Sequence, residues 1–352
     1  MSAAVAHPPI EAVAGLLDEA EITGPFTIEP LPGGRNNRVF RLDTSAGPVL
    51  LKAYFRHPGD PRDRLGAEWA FTRFAWGHGI RRTPRPLAAS PEHQLALYQF
   101  VEGRHLSPGE VSEAHVQEAM AFIIELNAHR ESADANDLPA GSEAAFTLNG
   151  HLAAVDRRIA RLAAIEPASP LHAEALAFIH QQLSPSWQDG PCRRPEAQRS
   201  SERIALDTPL VGDRLISPSD FGFHNALLAD DGLVFLDFEY AGWDDPAKLV
   251  CDFFCQPARP APPSVLPAAA GTIAALTTDP AAALARIDLL LPVYQVKWCS
   301  IMLNEFLPID NARRQFASAT GADAAAAQLE IVRGRLATLG GLVSVLNKEM
   351  DR

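Results

Sequence analysis

The sequence predicts an α+β fold in two lobes: a small antiparallel sheet carrying one helix, followed by a larger and mostly helical body. Three observations carry this. Short β-like runs separated by glycine turns fill the first hundred residues and enclose one stretch of helical periodicity. Beyond Gly103 the apolar residues recur at helical spacing instead. A compact β-rich patch between Leu215 and Asp237 then interrupts the helices. An order of this kind leaves a cleft between the two parts.

The elements follow in chain order. Residues 10–21 form a short helix with Val13, Leu16 and Leu17 on one face, ended by Gly24-Pro25. Strands are expected at Phe26–Pro30, Val39–Leu42 and Val49–Tyr54, with Gly33-Gly34 in the turn between the first two. Pro61–Gly77 is helical, with Leu65, Trp69 and either Thr72 or Arg73 recurring by turns. Leu95–Val101 returns to strand before Gly103. Val116, Met120 and Ile123 line one helix face, and Leu152, Val155, Ile159 and Leu162 another. Residues 184–202, rich in Pro, Ser and Arg, read as a loop, and the Ala/Pro stretch 257–270 as a surface connection. Short β segments are expected at Leu215-Ile216, Ala226–Leu228 and Leu233–Asp237. Helices resume at Ala247–Phe254, at Leu284–Leu307 with an interruption near Pro292, and at Asp323–Leu339. The division that follows is 1–24 as an extension, 25–102 as the amino-terminal lobe with its hinge, and 103–352 as the helical lobe.

Composition bounds the function. The 352 residues fit one large or two coupled domains, and 47% apolar content supplies a core. A net charge of −12, from 31 basic and 43 acidic side chains, argues against a nucleic-acid surface, which needs basic patches. No apolar run is long enough to span a membrane, and Met1–Ile10 lacks the features of a secretory signal. Cys192, Cys251, Cys255 and Cys299 have no His or Cys neighbours at zinc spacing, so they read as buried free thiols in a reducing cytoplasm.

Chemistry enters with seven positions. Gly33 and Gly34 at a strand turn let backbone N–H groups approach phosphate oxygens, although a plain hairpin turn explains them equally well. Lys52, inside an apolar strand, is either a surface residue or a phosphate ligand. Glu68, on the following helix, gives the second reading a purpose, because its carboxylate can hold the ammonium toward the phosphates of a nucleotide. Asp220, Asn225 five residues on, and Asp237 at the end of the next hairpin complete the set. Asp220 could accept a hydroxyl proton, while Asn225 and Asp237 offer the sparse oxygen shell that Mg²⁺ prefers. A turn explains Asp220–Asn225 alone, but not all seven positions in this order.

The chain resembles the aminoglycoside phosphotransferase and choline kinase superfamily, small-molecule relatives of protein kinases. The similarity runs from about Phe26 to Phe254. Pro32–Phe40 (Pro-Gly-Gly-Arg-Asn-Asn-Arg-Val-Phe) resembles the nucleotide loop, with Asn37 in it. Val49–Lys52 resembles the strand of the phosphate-binding lysine, and Arg64–Glu68 its partner helix. Tyr98–Gly103, with Gln99 and Val101, resembles the linker whose backbone holds adenine. Phe235–Pro246, Phe-Leu-Asp-Phe-Glu-Tyr-Ala-Gly-Trp-Asp-Asp-Pro, is the most specific segment. The resemblance implies a two-lobed, protein-kinase-like fold. It implies ATP and Mg²⁺ as cofactors, Asp237 on the metal, and Asp245 and Asp252 bracing the site. It also implies a small-molecule hydroxyl acceptor, an amino alcohol, sugar or amino sugar. The protein is expected to be a monomer or homodimer with no nucleic-acid or membrane partner.

Two departures stand out. The family's His-Gly-Asp is here Pro218-Ser219-Asp220, and His224 precedes Asn225. Pro218 favours a second reading, a nucleotide-binding pseudokinase without catalysis. Against it stand Lys52, Glu68, Asp220, Asn225 and Asp237, all present. Asp237 is followed by Phe238-Glu239, so the Asp-Phe-Gly of a protein kinase is missing and a protein substrate is not expected. The acceptor pocket is expected from residues 184–214 and the C-terminal helices, with Asp207, Asp213, Trp243 and the Lys297–Asn304 stretch as candidate contacts.

Overall fold

A computed structural model describes residues 7–32, 37–189, 210, 212–307 and 322–350. Helix α1 (Ile10–Glu19) precedes strands β1 (Phe26–Leu31), β2 (Arg38–Thr44) and β3 (Gly47–Ala53), then α2 (Arg64–Gly77), β4 (Pro86–Ser90) and β5 (Leu95–Gln99). The five strands form one antiparallel sheet in the order β1-β2-β3-β5-β4. Strand alternation divides its side chains. Phe40, Leu42, Val49, Leu51 and Leu97 join Val13, Leu16 and Leu17 of α1 in one core. Tyr54, Ala96 and Tyr98 meet Leu65 of α2 on the opposite face. Asp63 caps α2 by accepting the Gly66 N–H at 2.9 Å.

The larger lobe holds α3 (Glu113–Asn127), α4 (Leu148–Ala163), α5 (Pro170–Phe178) and α6 (Ser184–Gln188), the last two joined by a π-helical turn at Ile179–Leu183. The three short β segments expected from the β patch, with a fourth at Gly242–Asp244, form two antiparallel ribbons. One pairs β6 (Leu215–Ser217) with β9 (Gly242–Asp244), and the other pairs β7 (Ala226–Ala229) with β8 (Gly232–Phe235). Helices α7 (Pro246–Cys255), α8 (Leu266–Ala274) and α9 (Pro280–Met302) follow, with Ala322–Ala337 and Gly341–Met350 beyond them. One apolar core runs through all of this lobe and reaches Phe71 and Phe74 of α2. Phe71 stacks on Phe238 with ring centroids 4.6 Å apart.

The β-lobe followed by a helical lobe is as the sequence predicts. Three details differ. Residues 184–188 of the expected loop form α6. The stretch expected as a surface connection at 257–270 enters α8, with Leu266, Ala269 and Ala270 buried. Pro292 does not interrupt its helix, since α9 runs unbroken from Pro280 to Met302 with Pro292 inside. Ile287, Leu290, Leu291, Val293 and Tyr294 are buried around it, and that packing outweighs the one N–H donor that proline removes. Cys251, Cys255 and Cys299 are buried free thiols as expected, and Cys192 lies outside the described residues. No helix of the described residues is long and apolar enough to cross a membrane.

Candidate active site

Lys52 lies on β3 with Leu51 facing α1, so its own side chain turns to the α2 face. Its ammonium lies 2.6 Å from Glu68 Oε2 and 2.5 Å from Asp237 Oδ1. Glu68 is buried one turn into α2, where it also accepts the Tyr54 hydroxyl at 3.0 Å. Burial raises the Glu68 carboxyl above its ordinary range against the pull of Lys52. Burial would lower the Lys52 ammonium, but Asp237, Glu68 and Glu239 more than reverse this, so the cation is held charged. The surface reading of Lys52 falls: its side chain is 7% exposed.

A hairpin closes between Asn225 and Asp237 and brings the two ends of its chain side by side. Ala226 pairs with Phe235 at the open end of the β7–β8 ribbon, and the Leu236 N–H donates to the Asn225 carbonyl at 2.8 Å. The strand ends at Phe235, two residues short of Asp237. Asp237 itself has a left-handed backbone, φ +63°, and its side chain is 34% exposed. Asn225 donates Nδ2–H to the Asp220 carbonyl at 3.0 Å, which ties the two ends of the 220–225 loop together. The Asp220 carboxylate accepts from His224 Nε2 at 3.2 Å. Burial pushes the Asp220 carboxyl up, but His224, Lys297 and Lys248 bring it below its ordinary value, so it is ionised at neutral pH.

Asn37 has a different setting from the one expected. Its side chain is buried, donating Nδ2–H to Glu239 Oε2 at 2.7 Å and accepting the Phe55 N–H at 3.1 Å. Arg64 reaches the same Glu239 oxygen at 3.2 Å and Asp60 at 2.6 Å. Glu239 is wholly buried, and burial together with Asp237 pushes its carboxyl up to about 7. The sequence used Glu239 only to exclude a protein kinase; an acidic residue inside the apolar run Phe235–Ala241 was the signal available. Asn37, Arg64 and Glu239 thus link the β-lobe to the Asp237 loop.

Gln99 ends β5 with its N–H on the Arg85 carbonyl at 2.8 Å. Val101 follows in the connection between the lobes, just before Arg104 bridges Leu228. Gly33 and Gly34 lie outside the described residues. Asp245 and Asp252 sit behind the site. Asp245 binds His151 at 3.0 Å and Arg286 at 2.6 Å. Asp252 binds Lys297 at 3.1 Å, Lys248 at 3.2 Å and the Trp298 indole at 2.9 Å. Of the acceptor candidates, Asp213 holds Thr278 on the surface and Trp243 donates to the Ala135 carbonyl. Asp207 lies outside the described residues.

The site therefore unites a lysine held by two carboxylates, an Asn–Asp pair at a hairpin mouth, and an ionised carboxylate on the adjoining loop. Residues 27–286 match the phosphotransferase enzyme family. No curated protein matches the chain. Among solved structures, the chain is similar to a spectinomycin phosphotransferase in complex with ADP and spectinomycin. Identity there is 11% and TM-score 0.62, over 93% of this chain and 98% of that one. A choline/ethanolamine kinase family protein from Mesorhizobium loti is 18% identical with a TM-score of 0.55, over 96% and 98%. Choline kinase from Cryptosporidium parvum is 13% identical with a TM-score of 0.52, over 98% and 100%. With the family matched across most of its length, the chain belongs to the phosphotransferase enzyme family and is a small-molecule phosphotransferase.

Proposed function

We propose that this enzyme transfers the γ-phosphoryl group of ATP to a hydroxyl of a small polar metabolite, an amino alcohol, a sugar or an amino sugar. The observation that carries the reading is the Lys52 ammonium of the β-lobe held by Glu68 and by Asp237, whose hairpin begins at Asn225 on the loop of Asp220. Gly33 and Gly34, with Lys52, would hold the nucleotide phosphates. The linker at Gln99–Val101 would hold the adenine, and Asn37 would brace the loop from behind through Glu239.

The donor set suits magnesium. Asn225 commits its amide N–H to Asp220, which leaves its Oδ1 to coordinate, and Asp237 has one oxygen on Lys52 and a second beyond it. Among the described residues no three His, Cys, Asp or Glu side chains cluster for a metal. Two protein oxygens completed by phosphate and water is the shell Mg²⁺ prefers over an all-protein cage. When bound, Mg²⁺ would offset the negative charge of the β- and γ-phosphates.

Asp220 orients the acceptor hydroxyl and takes its proton as the oxygen attacks the γ-phosphorus. The bond from that phosphorus to the β,γ-bridging oxygen breaks and ADP leaves. Position and field supply most of the acceleration, because phosphoryl transfer asks little covalent help from the protein. A coupled ADP-release assay tests this with Mg²⁺-ATP against amino alcohols, sugars and amino sugars, using Asp220→Ala as control. An acceptor that raises ADP release in the parent and not in the variant supports the reading. Nucleotide binding with no turnover on any acceptor would favour a pseudokinase, and no nucleotide binding at all would refute both.

A further inference from the structure

Ser219 stands immediately before Asp220 and has a left-handed backbone, φ +66°. The Asp220 N–H closes back on the Pro218 carbonyl at 2.9 Å, so Ser219 is the middle of a three-residue turn of the strained hand. A residue with a Cβ stays in such a conformation only where its surroundings over-determine it.

The surroundings here do so. The Ser219 N–H donates to the Ser217 hydroxyl at 3.0 Å. Its own hydroxyl donates to Asp244 Oδ2 at 3.0 Å and accepts from the Lys248 ammonium at 2.8 Å. Lys248 also lies 2.5 Å from Asp244 and 3.2 Å from Asp252. Ser219, Asp244 and Lys248 are 3%, 0% and 1% exposed, so none of them can meet a substrate. Over them lies Gly141, where a Cβ would come within 3.4 Å of Ser219 Oγ and 3.5 Å of Asp244 Oδ2.

Asp244 and Lys248 are one helical turn apart at the start of α7. Asp245 between them caps that helix through the Ala247 N–H and is itself held by His151 of α4 and Arg286 of α9. The start of α7 is therefore fixed to two other helices, and Ser219 is fixed to it.

We infer that Ser219, Asp244 and Lys248 form an anchor that holds the strained turn, so that the Asp220 carboxylate keeps a single orientation toward the acceptor hydroxyl. The three are positioning residues. The anchor stands on geometry alone, whereas its effect on turnover rests on the phosphotransfer reading above. Glycine at 219 would relieve the strain yet offer no hydroxyl, which makes the serine a choice of attachment over backbone comfort.

Ser219→Gly separates these roles. Melting temperature, steady-state ADP release from Mg²⁺-ATP and amide hydrogen exchange of segment 216–225 are measured on parent and variant. Release is measured with the best acceptor of the panel, or with water where none raises the rate. The expected result is a melting temperature equal to or above the parent's. Exchange in that segment should be about tenfold faster, and kcat lower by about tenfold or more with KM for ATP within about twofold, as loss of alignment predicts. Parental kcat and parental exchange would overturn the inference. So would a fall in kcat matched by a drop in melting temperature and faster exchange throughout, since that marks a purely structural role. If Ser219→Gly does not fold, Ser219→Ala is read by the same criteria, except that its melting temperature is compared with that of Ser217→Ala. A parent that releases no ADP under any condition refutes the phosphotransfer reading, while the exchange rates still decide the anchor.

Discussion

Asp237 and Ser219 share a positive φ, +63° and +66°, and each lies against a lysine. What differs is access. Lys52 holds an Asp237 side chain that is 34% exposed, so the contact can be exchanged for a ligand. Lys248 holds Ser219, Asp244 and Asp252 where solvent does not reach. On the proposed reading, the first lysine can give up its partner to a ligand. The second belongs to a scaffold that keeps it. On the reading proposed above, similar chemistry thus serves binding in one place and alignment in the other.

The largest effect expected from this contrast is on stability. Lys248→Met leaves Asp244 and Asp252 buried without their shared cation and should cost about 3–5 kcal/mol, the scale for breaking a buried ion pair. Lys52→Met should cost less, because Asp237 can turn to water and burial already favours the protonated form of Glu68. Urea unfolding of both variants measures the difference. Equal losses would mean that the two lysines are not distinguished by access.

Activity should rank the other way. Asp237→Ala and Asp220→Ala should each lower turnover by about 10²-fold or more, the scale of losing an electrostatic or general-base contribution. Near-parental turnover in either variant would remove the role assigned to that residue.

A smaller effect tests the brace behind the scaffold. Burial would raise the Asp245 carboxyl, but His151 and Arg286 bring it down to about 2. A carboxyl depressed in this way is protonated more readily in the unfolded chain than in the folded one. Its contribution is therefore complete above a pH of roughly 4 and is lost as the pH falls through about 2, amounting to about 2 kcal/mol. Acid titration of stability should show a shallower fall over that window in Asp245→Asn. An unchanged slope would mean that other carboxylates dominate there.

The binding side of this contrast was legible in the sequence and the scaffold side was not. Lys52 and Asp237 stand out because each interrupts or ends an apolar run, and Glu68 follows at a helix turn that can reach the lysine. Charge in an apolar setting is visible without coordinates. Ser219 is an ordinary residue in the polar stretch Ser217–Asp220, and Lys248, although set in an apolar run, carries no sign of a partner 29 positions away; only the pairing of β6 with β9 brings them together. The sequence marked Pro218-Ser219 as a departure but had no means to find its counterpart. Asn37 shows the converse: its place in the loop pointed to nucleotide, whereas its side chain is spent on Glu239. Pro292 was overread for a related reason, since a local rule for proline does not know that the helix around it is packed on several sides.

His224 tests whether alignment extends to the carboxylate itself. An ionised Asp220 can only accept, so the 3.2 Å contact requires the hydrogen on His224 Nε2. Nδ1 is buried with no hydrogen-bond partner among the described residues. It packs so tightly against Gly222 that a Cβ there would come within 2.9 Å of it. The ring is therefore wedged in the orientation that serves one Asp220 oxygen and leaves the other for the acceptor. His224→Leu keeps much of the packing and removes the donor. It should lower kcat by about tenfold, the value of one hydrogen bond to a charged group, and leave KM for ATP unchanged. His224→Gln can return a donor to Oδ1 and should recover part of the loss. If both variants turn over like the parent, Asp220 is oriented from its backbone alone, and the Ser219 anchor carries the whole of the alignment.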